Sequence, residues 1–357
     1  MDKTVVELFA GVGGFRAAMD HIHQDLDVII DTIGFSEIDA KALATYKANF
    51  NTTNEIEMGD IVSFIKDKKR FRTLPRFNLL SAGFPCQTFS MMGKQAGFDE
   101  DRGQMFFRIM DLVHKYQPNF ILLENVKNLM NHDKKRTYKR IKEELEAEKY
   151  IVHEDVFNTN AFGLPQKRNR VLVFARKAKY GDFIFSFDAV KKHFEVLNHN
   201  DISIYLYRSV VDILSQEVEG KYYLSSKIKP TILSNGSGSF VSNSDIDQLV
   251  ARPLTASMHK MHRACQDNYY SDIFIQSYGA VRPSEYMTKE ELASIPIRKL
   301  TPQEAFMLQG FPRDFALNAQ REGVSNGSLY TQAGNAVSVN TIYAVLHYLI
   351  HSKIMFE

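Results

Sequence analysis

Two cysteines in 357 residues, no long apolar run and almost no net charge bound this sequence before any motif is read. Cys86 and Cys265 allow one bridge at most, which excludes a disulfide scaffold, and in a reducing compartment both are expected as free thiols. No stretch approaches the roughly 20 apolar residues of a membrane span. The opening MDKTVVELFAG lacks the apolar core of a secretory leader, so a soluble cytoplasmic protein without membrane association is expected. A formal charge of +2 from 44 basic and 42 acidic residues excludes a broadly polycationic surface, so any nucleic-acid contact has to be local. No internal repeat is found, and no metal is expected.

What the chain has is length enough for one large domain plus a smaller one. Its first half alternates β-branched apolar runs with amphipathic helical patterns. Strands are predicted near residues 5–9, 28–37, 55–60, 78–84 and 119–125. Helices are predicted in DAKALATYKANF, QMFFRIMDLVHKY and DKKRTYKRIKEELEAEK, and YIVHEDVF with NRVLVFA reads as a closing strand pair. The rhythm predicts an α/β fold with a doubly wound, mostly parallel sheet covered on both faces. From about residue 186 the texture turns to Ser, Asn, Asp, Gly and Tyr, as in SNGSGSFVSNSD, and order returns at the apolar helix VNTIYAVLHYLIHSK. The expected division is a first domain over 1–185, a smaller loop-rich domain over 186–329 and a C-terminal helix in 330–357 that returns to the first.

In open α/β sheets ligands bind beyond the carboxyl ends of the strands, so the residues ending each apolar run carry the information. The first run ends in FAGVGGF (9–15), the second in Glu37, the third in Asp60, the fourth in Pro85-Cys86-Gln87 and the fifth in Glu124-Asn125. Five such endings on one edge describe a site. The glycine loop permits close backbone approach, and Glu37, 23 positions beyond Gly14, stands where a carboxylate can grip ribose hydroxyls. A tight connection with no ligand is the competing reading of such a turn. The spacing departs from G-x-G-x-x-G, which favours an adenosyl ligand over a dinucleotide.

Free cysteines are usually inert core residues. Cys86, however, follows a Gly-Phe-Pro turn and precedes a stretch (88–104) with the composition of a lid, whereas Cys265 has no comparable neighbours and is read as inert. Glu124 closes the run FILLE, where partial desolvation favours the protonated carboxyl and makes it a candidate proton donor, with helix capping as the alternative. In QKRNR, Arg168 and Arg170 stand at period two and are predicted to share a strand face, suited either to carbonyl and phosphate oxygens or to a surface ion-pair ladder.

Taken together, these motifs resemble the cytosine carbon-5 DNA methyltransferases of bacterial restriction-modification systems over nearly the whole chain. FAGVGGF resembles the cofactor loop, GFPCQTFS the nucleophile motif, ENVKN the catalytic glutamate motif and QKRNR the arginine motif. RKLTPQEAFMLQGFP and QAGNAVSVNTI resemble two C-terminal motifs, and all stand in the family's order. The resemblance implies the Rossmann-like sheet of S-adenosylmethionine-dependent methyltransferases with a smaller target-recognition domain. It implies S-adenosylmethionine as cofactor, S-adenosylhomocysteine as product, and a pocket lined by Phe9, Gly11, Val12, Gly13, Glu37, Ile38, Asp60, Ile61, Pro85, Met105, Asn335 and Val337. In that pocket Phe9 would stack near the adenine, Glu37 hold the ribose and Asp60 take the adenine amino group. Two departures are an isoleucine at position 38, where relatives often carry a large aromatic, and a glutamate at position 7, where aspartate is common.

The resemblance further implies Cys86 as nucleophile, Glu124 as acid, Arg170 as holder of the base carbonyl and Arg168 as electrostatic support for Glu124 or the thiolate. The substrate would be a cytosine flipped from duplex DNA. DNA contacts are assigned to Gln87, Ser90 and Lys94, with Met91 and Met92 nearby in the lid stretch, and to Arg252, His259, Lys260, His262, Arg263, Tyr269 and Tyr270 in the smaller domain. A monomer is expected, in a cell that holds a cognate restriction endonuclease without a stable complex. The rival readings are a transfer-RNA cytosine methyltransferase of the same fold and a catalytically silent DNA-binding relative.

Overall fold

Val5, Val6 and Leu8 flank Glu7 in a strand that is buried on both faces, as the centre of a covered parallel sheet demands. The computed structural model describes residues 3–85, 105–237 and 240–356, without the side chains of 237 and 240. Its main sheet has seven strands in the order β3-β2-β1-β4-β5-β7-β6. These are β1 (Thr4–Leu8), β2 (Asp31–Ser36), β3 (Ile56–Glu57), β4 (Leu79–Gly83), β5 (Phe120–Val126), β6 (Tyr150–Asn158) and β7 (Asn169–Lys177). The first five are parallel, while β7 runs antiparallel to both β5 and β6. The strand order reverses at β1, between β2 and β4, which is where such sheets open a crevice.

The helices of this unit are α1 (Gly14–Leu26), α2 (Ala40–Asn49), α3 (Ile61–Lys66), α4 (Lys68–Thr73), α5 (Met105–Tyr116), α6 (Arg136–Ala147) and α7 (Phe187–Glu195). Phe64, Phe106, Ile109, Val113, Ile141 and Leu145 from α3, α5 and α6 bury one sheet face against Val6, Leu8, Leu80, Ile121, Leu123 and Val173. Short loops start their helices with aspartate caps: Asp39 accepts from the amides of Lys41 and Ala42, and Asp67 from those of Lys69 and Arg70. The predicted strands and helices of the first half are all present, with ends moved by a few residues. β2, for example, begins at Asp31 rather than near 28, because Asp27 ends α1 in a left-handed conformation.

The chain divides into one unit of Met1–Asn158, Asn169–Ile204 and Thr341–Glu357 and another of Thr159–Arg168 and Tyr205–Asn340. The expected boundaries at 186 and 330 are therefore moved. α7 packs on β6, which keeps residues up to 204 with the sheet. At the other end, the Tyr330 hydroxyl donates to the Leu300 carbonyl and the Gln309 amide to the Ala333 carbonyl, which ties that segment into the second unit.

The second unit contains α8 (Lys229–Leu233), the short pairs β8 (Gly236–Ser237) with β9 (Phe240–Val241) and β10 (Tyr269–Ser271) with β11 (Ile297–Lys299), and five further short helices. These are α9 (Asp272–Gln276), α10 (Lys289–Ser294), α11 (Pro302–Met307), α12 (Phe315–Arg321) and α13 (Asn326–Asn335). Leu224, Ile232, Leu233, Ile246, Tyr269, Leu292 and Ile297 form a small core, beside a fully buried bidentate pair of Arg298 with Glu304 at 2.9 Å for both bonds. The apolar C-terminal segment is helix α14 (Val339–His351). Among the described residues no helix is long and apolar enough to cross a membrane.

Candidate active site

The parallel register aligns the carboxyl ends of the central strands. Leu8 stands opposite both Ser36 and Ala82, and Gly83 opposite Glu124. The residues that end the apolar runs are thus neighbours on one edge although they are far apart in sequence.

Beyond β1 the backbone turns left-handed at Phe9 (φ 55), Gly11 (φ 56) and Gly13 (φ 87) before α1 begins. The two glycines do different things. A Cβ on Gly13 would lie 2.4 Å from Cε2 of Phe50, so this position is closed by packing, whereas a Cβ on Gly11 would meet nothing within 4 Å. The loop is held by Glu37. One carboxylate oxygen accepts the Gly11 amide at 2.8 Å, and the other accepts those of Ile38 at 2.8 Å and Asp39 at 2.7 Å. Oε2, which accepts only the Gly11 amide, retains an acceptor lone pair for a hydroxyl. Asp60 caps α3, accepting from the amides of Val62 and Ser63 and from the Ser63 hydroxyl at 2.6 Å. Burial pushes its carboxyl up, and these bonds outweigh it, leaving Asp60 below the usual carboxylate range. Ile38 is 75% exposed, Val12 is buried, and Phe9 and Met105 are half-buried against the core, while the Ile61 side chain lies inside the core. Pro85 is exposed.

At the far side of this edge Glu124 is buried and meets Arg170, with Nε to Oε1 at 2.9 Å. The antiparallel register explains the contact: Glu124 faces Leu172 and Val126 faces Arg170, so acid and base are diagonal neighbours on one sheet face. Next to them the Asn125 amide donates to the Phe84 carbonyl at 2.9 Å, tying the end of β5 to the end of β4. Asn125 received no role from sequence, although it stands inside the same short motif as Glu124.

The two arginines depart from the expected parts. β7 begins at Asn169, so the period-two argument does not reach Arg168, which belongs to the second unit and is 1% exposed. Its guanidinium donates to the carbonyls of Leu254 at 3.2 Å, Gly334 at 3.0 Å and Ala336 at 2.9 Å. Support of Glu124 therefore falls to Arg170, and Arg168 ties three backbone segments together. Gln166 works alongside it, donating to the Leu308 carbonyl and accepting from the Leu254 amide. Close packing here is absolute: a Cβ on Gly334 would lie 2.3 Å from the Thr255 carbonyl carbon. Asn335 and Val337 also belong to this second unit.

Among the expected DNA contacts, Lys260 is exposed, and His259, His262, Arg263 and Arg252 are half-buried, the last donating to the Asp245 carbonyl. Tyr269 and Tyr270 are not available for DNA. Both are buried on β10, Tyr269 donating to the His262 carbonyl within the small core and Tyr270 stacking on Phe274. Their aromatic bulk fills the unit, which polar surroundings in the sequence did not reveal. Cys86, Gln87, Ser90, Met91, Met92 and Lys94 lie outside the described residues.

Sequence reading placed Glu7 near the cofactor only as a departure, and the structure gives it surroundings. It is fully buried, takes a hydrogen bond from the Tyr46 hydroxyl at 3.2 Å on one oxygen and has no partner on the other among the described residues. Burial pushes its carboxyl up to about 8, against the pull of the Arg16 cation and the Tyr46 bond. Because the folded state holds this proton above the pH at which an unfolded glutamate releases it, stability falls as pH rises from about 4.5 to about 8. Glu7→Gln is expected to remove that decline, raising stability at pH 8 by roughly 1–2 kcal/mol relative to the parent and leaving it nearly unchanged at pH 5. Thermal melts across this range check it.

A family model described as C-5 cytosine-specific DNA methylase matches residues 3–351. The chain belongs to the C-5 cytosine-specific DNA methylase family. It is 34% identical over 352 residues to Type II methyltransferase M1.ScrFI of Lactococcus lactis subsp. cremoris, covering 96% of this chain and 76% of that one. To Type II methyltransferase M.HpaII of Haemophilus parainfluenzae it is 33% identical, covering 96% and 87%. In fold it is similar to the Entamoeba histolytica methyltransferase EhMeth (TM-score 0.73, 20% identity, 99% of each chain). It is also similar to the S. pombe Dnmt2 methyltransferase (TM-score 0.73, 19% identity, 99% and 100%). A C-5 cytosine DNA methylase is an S-adenosylmethionine-dependent enzyme with DNA as substrate. The residues beyond β1, β2 and β3 fit an adenosyl ligand: an open glycine, a carboxylate braced by three amides and a second, low-lying carboxylate stand on one edge.

Proposed function

We propose that this enzyme methylates carbon 5 of a cytosine extruded from a specific duplex DNA sequence, through a covalent adduct with Cys86, and so marks host DNA within a restriction-modification system. The observation that carries this reading is the Glu124–Arg170 pair at the end of β5, joined through Asn125 to the backbone of Phe84 two residues before Cys86.

Carbon 5 of cytosine is a weak nucleophile until the ring is opened to addition. A thiolate at Cys86 adds to carbon 6, and the protonated carboxyl of Glu124 gives its proton to ring nitrogen 3, so the electron pair arrives at carbon 5. Arg170 fixes the carboxyl of Glu124 and, from the same position, stabilises negative charge that develops as the proton leaves. When bound, S-adenosylmethionine supplies the electrophilic methyl group that carbon 5 takes up. Phe9, Gly11, Val12 and Gly13, with Glu37, Ile38, Asp60, Ile61, Pro85, Met105, Asn335 and Val337, are proposed to hold it. Loss of the carbon 5 proton to a base then breaks the carbon–sulfur bond and frees the thiolate, and the proton on ring nitrogen 3 returns to the Glu124 carboxylate. Extrusion costs a few kcal/mol of stacking. Contacts from Gln87, Ser90, Lys94, Arg252, His259, Lys260, His262 and Arg263 are proposed to offset that cost.

The test is a trap. Duplex DNA carrying 5-fluorocytosine at the methylated position is expected to form a denaturant-resistant adduct with the parent protein and none with Cys86→Ser. A parent protein that methylates ordinary duplex DNA yet never forms the adduct overturns the mechanism. Labelled methyl incorporation into transfer RNA but not into DNA overturns the substrate.

A further inference from the structure

The segment that leaves β5 carries cations that the proposed mechanism does not use. After Glu124 the chain makes two tight turns, Lys127–Met130 and His132–Lys135, before α6 begins. Asp133 (φ 48), Lys134 (φ 55) and Lys135 (φ 71) are three successive non-glycine residues in the left-handed region, which side chains other than glycine and asparagine rarely adopt. The turns are not loose. Leu129 is buried, Met130 packs on the core, His132 Nδ1 meets the Thr137 hydroxyl at 2.7 Å, and the Arg136 guanidinium bonds both the side chain and the carbonyl of Asp133. The surroundings thus hold two lysines in a conformation that glycine would adopt without strain.

The charges divide into two groups. Arg136, Lys139 and Arg140 are each paired, with Asp133, Glu143 and Glu144. Lys127, Lys134 and Lys135 are exposed and make no ion pair among the described residues, although Lys134 is close enough to Asp133 to join Arg136 in lowering its carboxyl. Lys127 follows Glu124 by three positions, and the first turn packs on β7, the strand that begins next to Arg170. Three ammonium groups without ion pairs among the described residues therefore stand in two consecutive, mutually packed turns of the segment that leaves the acid's strand. A net charge of +2 for the whole chain makes such a local excess informative.

We propose that Lys127, Lys134 and Lys135 form a phosphate-contact surface that holds the backbone of duplex DNA beside Glu124. The inference rests on the proposed function. Exposed lysines recognise phosphodiester oxygens as point charges, carry no base information and fix the register of the duplex on the protein. The left-handed run sets the backbone from which Lys134 and Lys135 extend.

The experiment measures duplex DNA affinity against salt for the parent and for the triple variant Lys127→Gln, Lys134→Gln, Lys135→Gln. Each phosphate contact contributes about 0.9 to the slope of log K against log salt, so a loss of up to about 2.7 is expected in the variant. Affinity at physiological salt is expected to fall about tenfold or more. A second variant, Lys134→Gly with Lys135→Gly, relieves the backbone while removing two charges. It is expected to melt higher than the parent and still lose slope, which separates charge from folding. A slope equal to the parent's in a triple variant that melts normally overturns the proposal while leaving the functional reading intact. A parent protein that neither binds nor methylates duplex DNA overturns both.

Discussion

Glu124→Gln is expected to lower turnover by about 100- to 10,000-fold while changing duplex affinity little. The carboxyl sits at the end of a buried strand and is held by Arg170 at 2.9 Å. Glutamine keeps its size and one acceptor oxygen but has no proton to give at ring nitrogen 3. A group that acts on charge arising only in the transition state affects the catalytic constant and leaves ground-state binding alone. Arg170→Ala is expected to share most of that loss, and the double variant to be little worse than either single one, because the two residues act as a unit. Single-turnover rates alongside equilibrium binding make the comparison. Equal losses in rate and affinity for Glu124→Gln would mark the residue as structural.

Arg168→Met is expected to act in the opposite manner, through stability. The guanidinium satisfies carbonyls at Leu254, Gly334 and Ala336 and is 1% exposed. Methionine fills much of the space but donates nothing, and each buried carbonyl left without a donor costs about 1–3 kcal/mol. A total near 3–5 kcal/mol corresponds to a fall in melting temperature on the order of 10 °C. Differential scanning calorimetry reads it directly. Turnover per folded molecule, measured well below the transition, is expected to fall far less than for Glu124→Gln. A stable Arg168→Met protein with catalysis lost would return Arg168 to the chemistry.

The contrast between these two arginines shows what a sequence pattern can carry. Period two says that two residues share a face only if both are in the strand, and strand ends are set by pairing: β7 starts where Asn169 meets Asn158. Arg168, one residue earlier, is already in the other unit. Tyr269 and Tyr270 failed for a related reason. Local composition looked polar and basic, but a three-residue strand against Ile297–Lys299 buried both rings, Tyr269 in a core assembled from segments tens of residues away and Tyr270 on the other face against Phe274. Glu7 was visible as an unusual residue type, yet its raised proton equilibrium comes from complete burial, against the opposing pull of Arg16 and Tyr46, and only packing creates that burial.

By itself the sequence determined the alternation of strands and helices, the placement of chemistry at strand ends, and the family. These rest on local periodicity and on motifs whose residues are adjacent, so no long-range information is needed to read them. Tertiary structure decided which arginine meets Glu124, which aromatics are core, where the two units part and which lysines stand unpaired. Each of those depends on register or on burial, and both are properties of segments that meet only when the chain has folded.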